Sequence, residues 1–484
     1  MTDCGILAAG AYAPRERISA GAFEEAWGRF EAAGIEEKSV AAPDEDALTM
    51  AYEAGQRALS AAVGAVEDPA NAFGELAFAT TTPPMAEEDP TVQLSEMLGL
   101  SSARPQLYTG STRAGTQALL AALESGRTEY ALVIAADCPR GEPASALEHA
   151  AGAGAAAFVV GPAAPVSLCE SSGASTLAQG TRFRRTGDDR VGSLDVTAYE
   201  RAVFVETIVE AVQGCESRES EWDAVVIQAP NGRLPYRARR ALDIDPAAIQ
   251  DSLPVHDLGD LGAASVPMGL VRALEQGLSE ATGERLRVLA TSFGSGAGAD
   301  ALVFDVRASV PIQADLDGIS QLSYAEYLQR RGELTSGPPA GGGAYVSIPT
   351  WQRAADQRYR LSAGRCPECD ALAFPPSGAC RSCHELVEYE RVQLERTGVV
   401  EAVTVISRGG APPEFAEQQA RSGEFAVAIV ALDGPGEKSA SVPAQVVDTD
   451  PDSVDVGDRV ETTMRRIYTQ EGVTRYGFKV HPVE

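Results

Sequence analysis

Apolar runs of strand length alternate with helix-like segments along residues 1–310, and one such arrangement occurs twice. Each copy has the pattern helix, strand, glycine-rich turn, strand, because a helical apolar period precedes two short continuous apolar runs. The copies are residues 118–124, 131–135 and 152–160, and residues 269–276, 286–290 and 296–304. Continuous apolar strands are typically buried on both faces. The pattern therefore predicts one large layered α/β domain, residues 1–310, built from two similar halves.

A glycine- and proline-rich stretch separates this domain from the rest of the chain. Residues 324–331 have a helical pattern, and residues 336–343 combine three consecutive glycines with two prolines. Such a composition is typical of a linker. We therefore assign residues 311–352 to a helix and a linker.

The C-terminal part of the chain has the pattern of a small β protein. Short runs of strand-forming residues alternate with turn residues. The runs are residues 398–405, 425–432, 458–463 and 476–480. Several short strands separated by turns predict a small β-barrel over residues 391–484.

Four cysteines precede the predicted barrel as two Cys-x-x-Cys pairs, with the spacing Cys366-x2-Cys369-x10-Cys380-x2-Cys383. Two such pairs let four thiolates converge on one tetrahedral zinc ion. Four protein ligands leave no coordination position for a catalytic water, so the predicted zinc is structural and belongs to a zinc ribbon over residues 353–390. A redox pair and a fortuitous arrangement are the alternatives, and the spacing favours zinc.

The charge balance of the chain is strongly acidic. The sequence has 69 acidic and 40 basic side chains, which gives a formal net charge of −29. A nucleic-acid-binding surface needs a net basic footprint, so this class of function is excluded. Charge of this size repels itself in dilute buffer and is relieved by salt, which favours a halophilic protein. A genome of high GC content would account for the many arginines but not for the excess of acids.

The chain shows no pattern for export or for a membrane span. Residues 1–5 lack the basic region and apolar core of a secretory signal. The most apolar stretch, residues 150–166, is interrupted by three glycines and two prolines. We therefore expect a cytoplasmic protein, in which paired cysteines indicate a metal site more often than disulfides.

Five short segments in residues 1–334 match one known family, in the same order along the chain. They are Glu37-Lys-Ser-Val-Ala-Ala-Pro-Asp-Glu-Asp46, Thr49-Met-Ala51, Ala114-Gly-Thr-Gln-Ala118, Pro230-Asn-Gly-Arg233 and Gly294-Ser-Gly-Ala-Gly298. These segments resemble the archaeal 3-hydroxy-3-methylglutaryl-CoA (HMG-CoA) synthases of the thiolase superfamily. The remainder resembles the zinc-ribbon plus OB-fold domain that accompanies archaeal thiolases and synthases as a separate chain. Here the two are fused.

The resemblance implies a fold, a ligand and partners. The expected fold class is α/β: a five-layered αβαβα thiolase-like domain, followed by the zinc ribbon and the OB-fold barrel. The expected ligand is a coenzyme A thioester, and the expected assembly is a homodimer with an acetyl-CoA acetyltransferase (thiolase) as a candidate partner. The positions that the resemblance assigns to coenzyme A are Asn231, Gly294, Gly296 and Gly298.

The catalytic positions depart from the family pattern. The synthases use a cysteine nucleophile, a histidine that positions the second acyl-CoA, and a glutamate that acts as acid and base. The resemblance places Thr112 at the cysteine position and Gln228 at the histidine position, and it places Thr81 at or next to the glutamate position. All three catalytic residue types are therefore replaced.

A threonine hydroxyl needs an adjacent base before it can act as a nucleophile, whereas a cysteine is already partly ionised near neutral pH. The chain has four histidines. His256, which precedes Asp257 and Asp260, is the candidate that the resemblance places near the pocket. Lone histidines are more often structural than functional, and that alternative stays open.

Three hypotheses follow from these replacements. The first is an enzyme that makes or breaks carbon–carbon bonds on CoA thioesters without a covalent cysteine intermediate, for example by retro-aldol cleavage. The second is a non-catalytic subunit that binds CoA thioesters or acts as a scaffold for a partner thiolase. The third is an active synthase with a different alignment, and the flanking Ala-Gly-Thr and Pro-Asn-Gly motifs argue against it.

Overall fold

The computed structural model describes residues 4–66, 69–194, 197–216, 222–228, 230–280, 285–334 and 346–483. The chain divides into two compact units, Met1–Tyr327 and Leu328–Glu484. The linker predicted over residues 336–343 lies outside the described residues. The domain boundaries given above stay predictions.

The first unit contains thirteen of the described strands. They are β1 (Cys4–Tyr12), β2 (Glu16–Ser19), β3 (Glu37–Val40), β4 (Phe73–Ala79), β5 (Arg104–Tyr108), β6 (Tyr130–Asp137), β7 (Gly154–Pro162), β8 (Val166–Ala178), β9 (Ala224–Ile227), β10 (Leu286–Gly294), β11 (Gly296–Val306), β12 (Ile312–Asp315) and β13 (Ser320–Gln321). Its helices, the last of which crosses into the second unit, are α1 (Ala20–Trp27), α2 (Ala47–Ala61), α3 (Pro69–Ala72), α4 (Pro90–Leu98), α5 (Ala114–Glu124), α6 (Ala146–Ala150), α7 (Thr197–Gln213), α8 (Leu234–Ala241), α9 (Ala247–Gln250), α10 (Ser265–Glu280) and α11 (Tyr324–Arg330).

The strands of the first unit form two similar half-sheets. The strand order is β5-β4-β6-β7-β1 in one half and β9-β10-β11-β8 in the other. The order β4-β6-β7-β1 corresponds to β9-β10-β11-β8, and β5 is an additional edge strand of the first half. In each half the strand after the glycine-rich turn, β7 or β11, is antiparallel to its neighbours. The internal repeat predicted from the sequence is therefore a structural duplication. The halves join where Gly5 and Ile6 pair with Ser167 and Val166.

Helices cover both faces of the half-sheets. Helix α2 packs on β1, β6 and β7, and helix α7 packs on β8, β10 and β11. Helices α5 and α10 contact each other and the opposite faces of the two half-sheets, and they share one apolar core with strands from both halves. The layers are therefore α, β, α, β and α, which is the expected five-layered architecture.

The second unit contains the ribbon and the barrel. Its elements are α12 (Ile348–Arg353), α13 (Ala355–Arg360), β14 (Ser362–Arg365), β15 (Leu372–Ala373), β16 (Glu390–Gln393), β17 (Thr397–Ile406), α14 (Ala416–Ser422), β18 (Phe425–Gly434), β19 (Lys438–Gln445), β20 (Arg459–Gln470) and β21 (Val473–Pro482). Strands β15, β14 and β16 form a small sheet beside the cysteine pairs. The order β19-β18-β17-β20-β21 forms a second sheet, which a bridge between Val446 and Val480 nearly closes into a barrel.

Among the described helices, none combines the length and the apolar character that crossing a bilayer requires.

Candidate functional site

Thr112 and Gln228 both hydrogen-bond to the backbone of Phe293, near the end of β10. Thr112 is 6% exposed and lies two residues before α5. Its Oγ1 donates a hydrogen bond of 2.6 Å to the carbonyl oxygen of Phe293. The N–H of Phe293 donates to Oε1 of Gln228 over 3.2 Å. Two of the residues singled out by the resemblance therefore hydrogen-bond to the backbone of the same β10 residue.

The start of α5 is fixed by close packing. A Cβ added to Gly115, in the first turn of α5, would lie 2.1 Å from the carbonyl oxygen of Ala263. Only glycine therefore permits this contact between α5 and the turn that precedes α10. The contact holds Thr112 at its depth between the two halves.

Thr81 belongs to a separate cluster around Asp137. The Asp137 carboxylate is completely buried and accepts six hydrogen bonds, from Thr80 Oγ1, from the backbone N–H and hydroxyl groups of Thr81 and Thr82, and from Ala263 N, at 2.7–2.9 Å. Because the Thr81 hydroxyl donates to this carboxylate, it serves to hold the loop after β4. It has no proton-accepting role of the kind that a glutamate would have there.

The half-buried Arg113 forms an ion pair with the buried Asp300, which sequence reasoning missed. Arg113 Nε donates to Asp300 Oδ2 over 3.0 Å, and Arg113 Nη2 contacts Asp300 Oδ1. The hydroxyl groups of Thr116 and Ser292 also donate to Asp300, over 3.0 and 3.3 Å. The signal was available in the internal repeat, where Asp300 is the polar counterpart of Ala156.

The glycines assigned to coenzyme A by resemblance lie beside this arginine. A Cβ on Gly298 would lie 1.9 Å from Arg113 Nη1, and one on Gly294 would lie 2.8 Å from Arg113 Cγ. Gly296 has a φ of +114° and open space around its Cα. Two of the three glycines thus make room for Arg113, and their assignment to coenzyme A stays a prediction.

A second arginine, Arg182, pairs with the buried Asp260. Arg182 Nη1 contacts Asp260 Oδ2, and the other oxygen accepts from Gly262 N over 3.0 Å. Arg184, two residues further along, donates to the carbonyl oxygen of Thr81. The loop after β8 therefore brings two guanidinium groups to the rim of the cluster, which sequence reasoning missed.

His256 contacts Tyr236 of α8, and Asn231 lies in the turn that leads into this helix. The ring of His256 lies between the carbonyl oxygen of Gly34, 2.5 Å from Nδ1, and the hydroxyl of Tyr236, 3.2 Å from Nε2. Asn231 Oδ1 accepts from the N–H groups of Arg233 and Leu234 and so caps α8. Among the described residues, no hydrogen bond joins His256 to Thr81, Thr112 or Gln228.

One cysteine lies next to the Asp137 cluster. Burial, together with the charges of Asp46 and Asp137, raises the pKa of Cys138 to about 12. Its Sγ lies 3.8 Å from the Thr82 hydroxyl. The thiol is therefore neutral at physiological pH and is a poor nucleophile.

The groups around Thr112 and Gln228 can bind a carbonyl but cannot activate the threonine. Within the described part of the chain, Thr112 has no carboxylate or imidazole at hydrogen-bond distance, and its own proton is held by a carbonyl. Gln228 accepts through Oε1, which leaves its Nε2 group without a partner among the described residues. That amide can donate to a ligand oxygen.

The four predicted zinc ligands converge in the second unit. The sulfur atoms of Cys366, Cys369, Cys380 and Cys383 all lie within 4.8 Å of one another. The sulfurs of Cys366 and Cys383 are 3.7 Å apart, and those of Cys369 and Cys380 are 3.6 Å apart. Zinc–sulfur bonds of about 2.3 Å in a tetrahedron give sulfur–sulfur distances of about 3.8 Å. The donor set therefore fits a structural zinc.

The two cysteine pairs have the same backbone geometry. The N–H of Asp370 donates to the carbonyl oxygen of Cys366, and the N–H of His384 donates to that of Cys380, both over 2.8 Å. Asp370 and His384 both have a φ of 64°, a left-handed conformation in which Asp and His are enriched. Backbone N–H groups of Cys383 and Ser382 lower the pKa of Cys380 to about 6, which favours the thiolate.

Comparison with known families separates the same two parts of the chain. Residues 353–387 match the family model described as "ChsH2, rubredoxin-like zinc ribbon domain". Residues 391–465 match the model described as "ChsH2, C-terminal OB-fold domain". The second unit is therefore a zinc ribbon followed by an OB-fold domain.

Curated relatives and solved structures match the first unit. The chain is 31% identical to a hydroxymethylglutaryl-CoA synthase from Pyrobaculum neutrophilum, over 68% of this chain and 98% of that protein. A synthase from Methanopyrus kandleri is 30% identical, over 68% and 97%. The structure of MvaS in complex with 3-hydroxy-3-methylglutaryl coenzyme A superposes with a TM-score of 0.59 at 19% identity, over 71% of this chain and 95% of that one. The chain thus belongs to the hydroxymethylglutaryl-CoA synthase family of thiolase-like proteins and carries a fused zinc ribbon and OB-fold domain.

Proposed function

We propose that this protein binds CoA thioesters in its thiolase-like unit and forms or cleaves carbon–carbon bonds on them without a covalent acyl-enzyme. The observation that carries the proposal is the state of Thr112. Its hydroxyl donates to the carbonyl of Phe293 and has no base beside it among the described residues. A hydroxyl in that state is not a competent nucleophile.

Gln228 supplies the other requirement of such chemistry. Aldol cleavage or condensation of a thioester passes through an enolate, whose oxygen needs hydrogen-bond donors. With Oε1 engaged by Phe293, the Nε2 group of Gln228 is oriented to donate to that oxygen. His256, hydrogen-bonded to Tyr236, is the candidate base for the substrate hydroxyl.

A non-catalytic role is the second candidate, and the state of the carboxylates favours it. Asp137 is saturated by six hydrogen bonds, and Asp260 and Asp300 are paired with arginines. A carboxylate whose oxygens already accept these contacts has fewer free lone pairs with which to take a proton from a substrate. In this role the protein would bind CoA thioesters as a homodimer and act as a scaffold for a partner thiolase.

Two variants and a substrate panel distinguish these functions. The full-length protein, in molar KCl, is incubated with a panel of short acyl-CoA and 3-hydroxyacyl-CoA thioesters while products and binding are measured. We expect turnover to persist in Thr112→Val, which keeps the shape and removes the hydroxyl, and to fall about tenfold or more in Gln228→Leu.

Each outcome has a distinct meaning. Loss of turnover in Thr112→Val would contradict the non-covalent mechanism. Binding of the thioesters without turnover in the wild-type protein would select the scaffold role. Failure of every thioester to bind would reject both candidates.

A further inference from the structure

The barrel contains a cavity whose lining includes neither the zinc ligands nor residues of the thiolase-like unit. The strands β19 and β21 are the two edges of the barrel sheet, and they are bridged only near Val446 and Val480. Residues 442–445 of β19 and residues 477–479 of β21 line a cavity of about 390 Å³ beyond that bridge. We call this cavity the barrel pocket. Its volume falls in the range of small-molecule sites.

The lining of the barrel pocket is mainly apolar. Side chains from several elements contribute, among them Phe374, Phe425, Val442 and Phe478. The charged members of the lining are Arg358 and Lys479, and no aspartate or glutamate of the described chain belongs to it. An apolar body with basic groups at its wall suits a ligand that has an apolar chain and an anionic head.

Arg358 has no counter-charge in the described part of the chain. Its guanidinium lies 3.7 Å above the ring of Trp351, and its buried Nε has no hydrogen-bond partner. Burial lowers the pKa of Arg358. A half-buried guanidinium whose Nε has no partner favours a bound anion, which would satisfy that donor.

Further basic groups lie on β21, the strand that α13 contacts. Arg475 and Lys479 are four residues apart on β21 and therefore lie on the same face of the strand, where they are 3% and 1% exposed. The Arg475 guanidinium lies 5.7 Å from the Trp351 ring, and its Nε also lacks a partner. Arg465 of the adjacent strand is paired with Asp448 at 2.9 Å. Buried positive charge thus accumulates here in a chain whose net charge is −29.

We propose that the barrel pocket binds a fatty carboxylate, with the carboxylate at Arg358 and the alkyl chain among the apolar lining residues. One carboxylate matches the single uncompensated guanidinium in the lining, and guanidinium groups bind carboxylates in a bidentate manner. The polyanionic head of free coenzyme A does not match a lining that is mostly apolar.

The test uses the full-length protein and three probes: decanoate, decanol and free coenzyme A. Binding is followed by calorimetry and by tryptophan fluorescence, because Trp351 contacts Arg358. Decanoate should bind at least about tenfold more tightly than decanol, since only the acid forms a charge-assisted hydrogen bond. Arg358→Met should remove this preference and leave the affinity for decanol unchanged.

Matched variants make the result specific. Arg360→Met changes an exposed arginine of the same helix and should bind decanoate like the wild type. Val427→Phe, which fills part of the pocket, should weaken both decanoate and decanol, and thermal melts confirm that each variant is folded.

Several results would overturn the proposal. These are equal affinity for decanoate and decanol, unchanged decanoate affinity in Arg358→Met, absence of decanoate binding below its micelle concentration, or displacement of decanoate by free coenzyme A.

Discussion

At the residue scale, the Thr112 hydroxyl argues against a covalent acyl-enzyme in the thiolase-like unit. Thr112 is buried two residues before α5, and its proton is held by the Phe293 carbonyl. Thiolates are stabilised by the positive end of a helix, whereas threonine needs a base. A threonine at this position therefore does not react as a cysteine would.

Acylation of residue 112 is the direct check. Acetyl-CoA should leave no adduct on the wild-type protein, whereas Thr112→Cys should gain about 42 Da slowly, because its thiol is partly ionised at the start of α5. Intact-mass and peptide-mapping measurements locate the adduct. Ser111→Cys, one residue earlier, controls for non-specific acylation. An acetyl group on Thr112 of the wild type that acetoacetyl-CoA removes would return the chain to the covalent mechanism.

The ion pair between Arg113 and Asp300 should dominate the stability of the site. Arg113→Met leaves the Asp300 carboxylate, which is 5% exposed, without its cation, and we expect a loss of about 3 kcal/mol in the free energy of unfolding. Urea denaturation measures the loss. Arg29→Met, at a side chain that is 65% exposed, should change stability by less than about 0.5 kcal/mol. A similarly small effect of Arg113→Met would contradict a stabilising role for this ion pair.

His149 should make the stability depend on pH. Burial, followed by the charges of Lys38 and Arg29, lowers the pKa of His149 to about 4. The folded state keeps the ring neutral while the unfolded state protonates near pH 6.5, so this contribution is complete above pH 6.5 and falls as the pH drops towards 4. Between pH 7 and pH 5 the wild type should lose about 2 kcal/mol more than His149→Phe.

Chemical denaturation at both pH values, in molar KCl, gives the difference. His149→Phe keeps the stacking on Phe30, whose ring centroid lies 5.2 Å away. Equal pH dependence of the variant and the wild type would contradict a buried neutral histidine.

At the element scale, the zinc ribbon is specified by short-range sequence and the barrel by packing. Each Cys-x-x-Cys pair forms its own hydrogen-bonded turn, which needs only five consecutive residues. Strand β19 was not predicted, because Pro443 and several polar residues interrupt any apolar run. It is an edge strand, where proline is tolerated. Its partner β18 supplies the apolar residues that the sequence revealed.

The ribbon should depend on its metal. Cys383→Ser should abolish the binding of about one zinc per chain and melt the ribbon, since zinc binding supplies folding free energy in such small sites. A strong chelator should have the same effect on the wild type. Metal analysis and the thermal melt of the second unit measure the change. Cys169→Ser, at an exposed cysteine outside the site, should keep its zinc, and a ribbon that stays folded without metal would reject a structural role.

At the scale of the whole molecule, charge is the dominant property. A net charge of −29 destabilises the compact state by self-repulsion, and salt screens that repulsion. The melting temperature should rise markedly between dilute buffer and molar KCl. Matched ionic strength from choline chloride separates screening from a specific effect of potassium. An unchanged melting temperature would contradict the halophilic interpretation. Genome composition, which explains the arginine content, would then be the only account that remains.

The sequence by itself determined the features that depend on neighbouring residues. The duplicated pattern of helix, strand, turn and strand predicted the two half-sheets, because strand and helix periods are local properties. The cysteine spacing predicted the ribbon, and the motif order predicted the family.

Only the tertiary structure decided which side chains of the site form ion pairs and hydrogen bonds with each other. Arg113 and Asp300 are 187 residues apart, and Arg182 and Asp260 are 78 apart, so no local pattern pairs them. The burial of Asp137 and its six hydrogen bonds likewise depend on a loop and a turn from different halves. Hydrogen bonds and ion pairs are set by distance in space, and the chain brings these groups together only when both halves have packed.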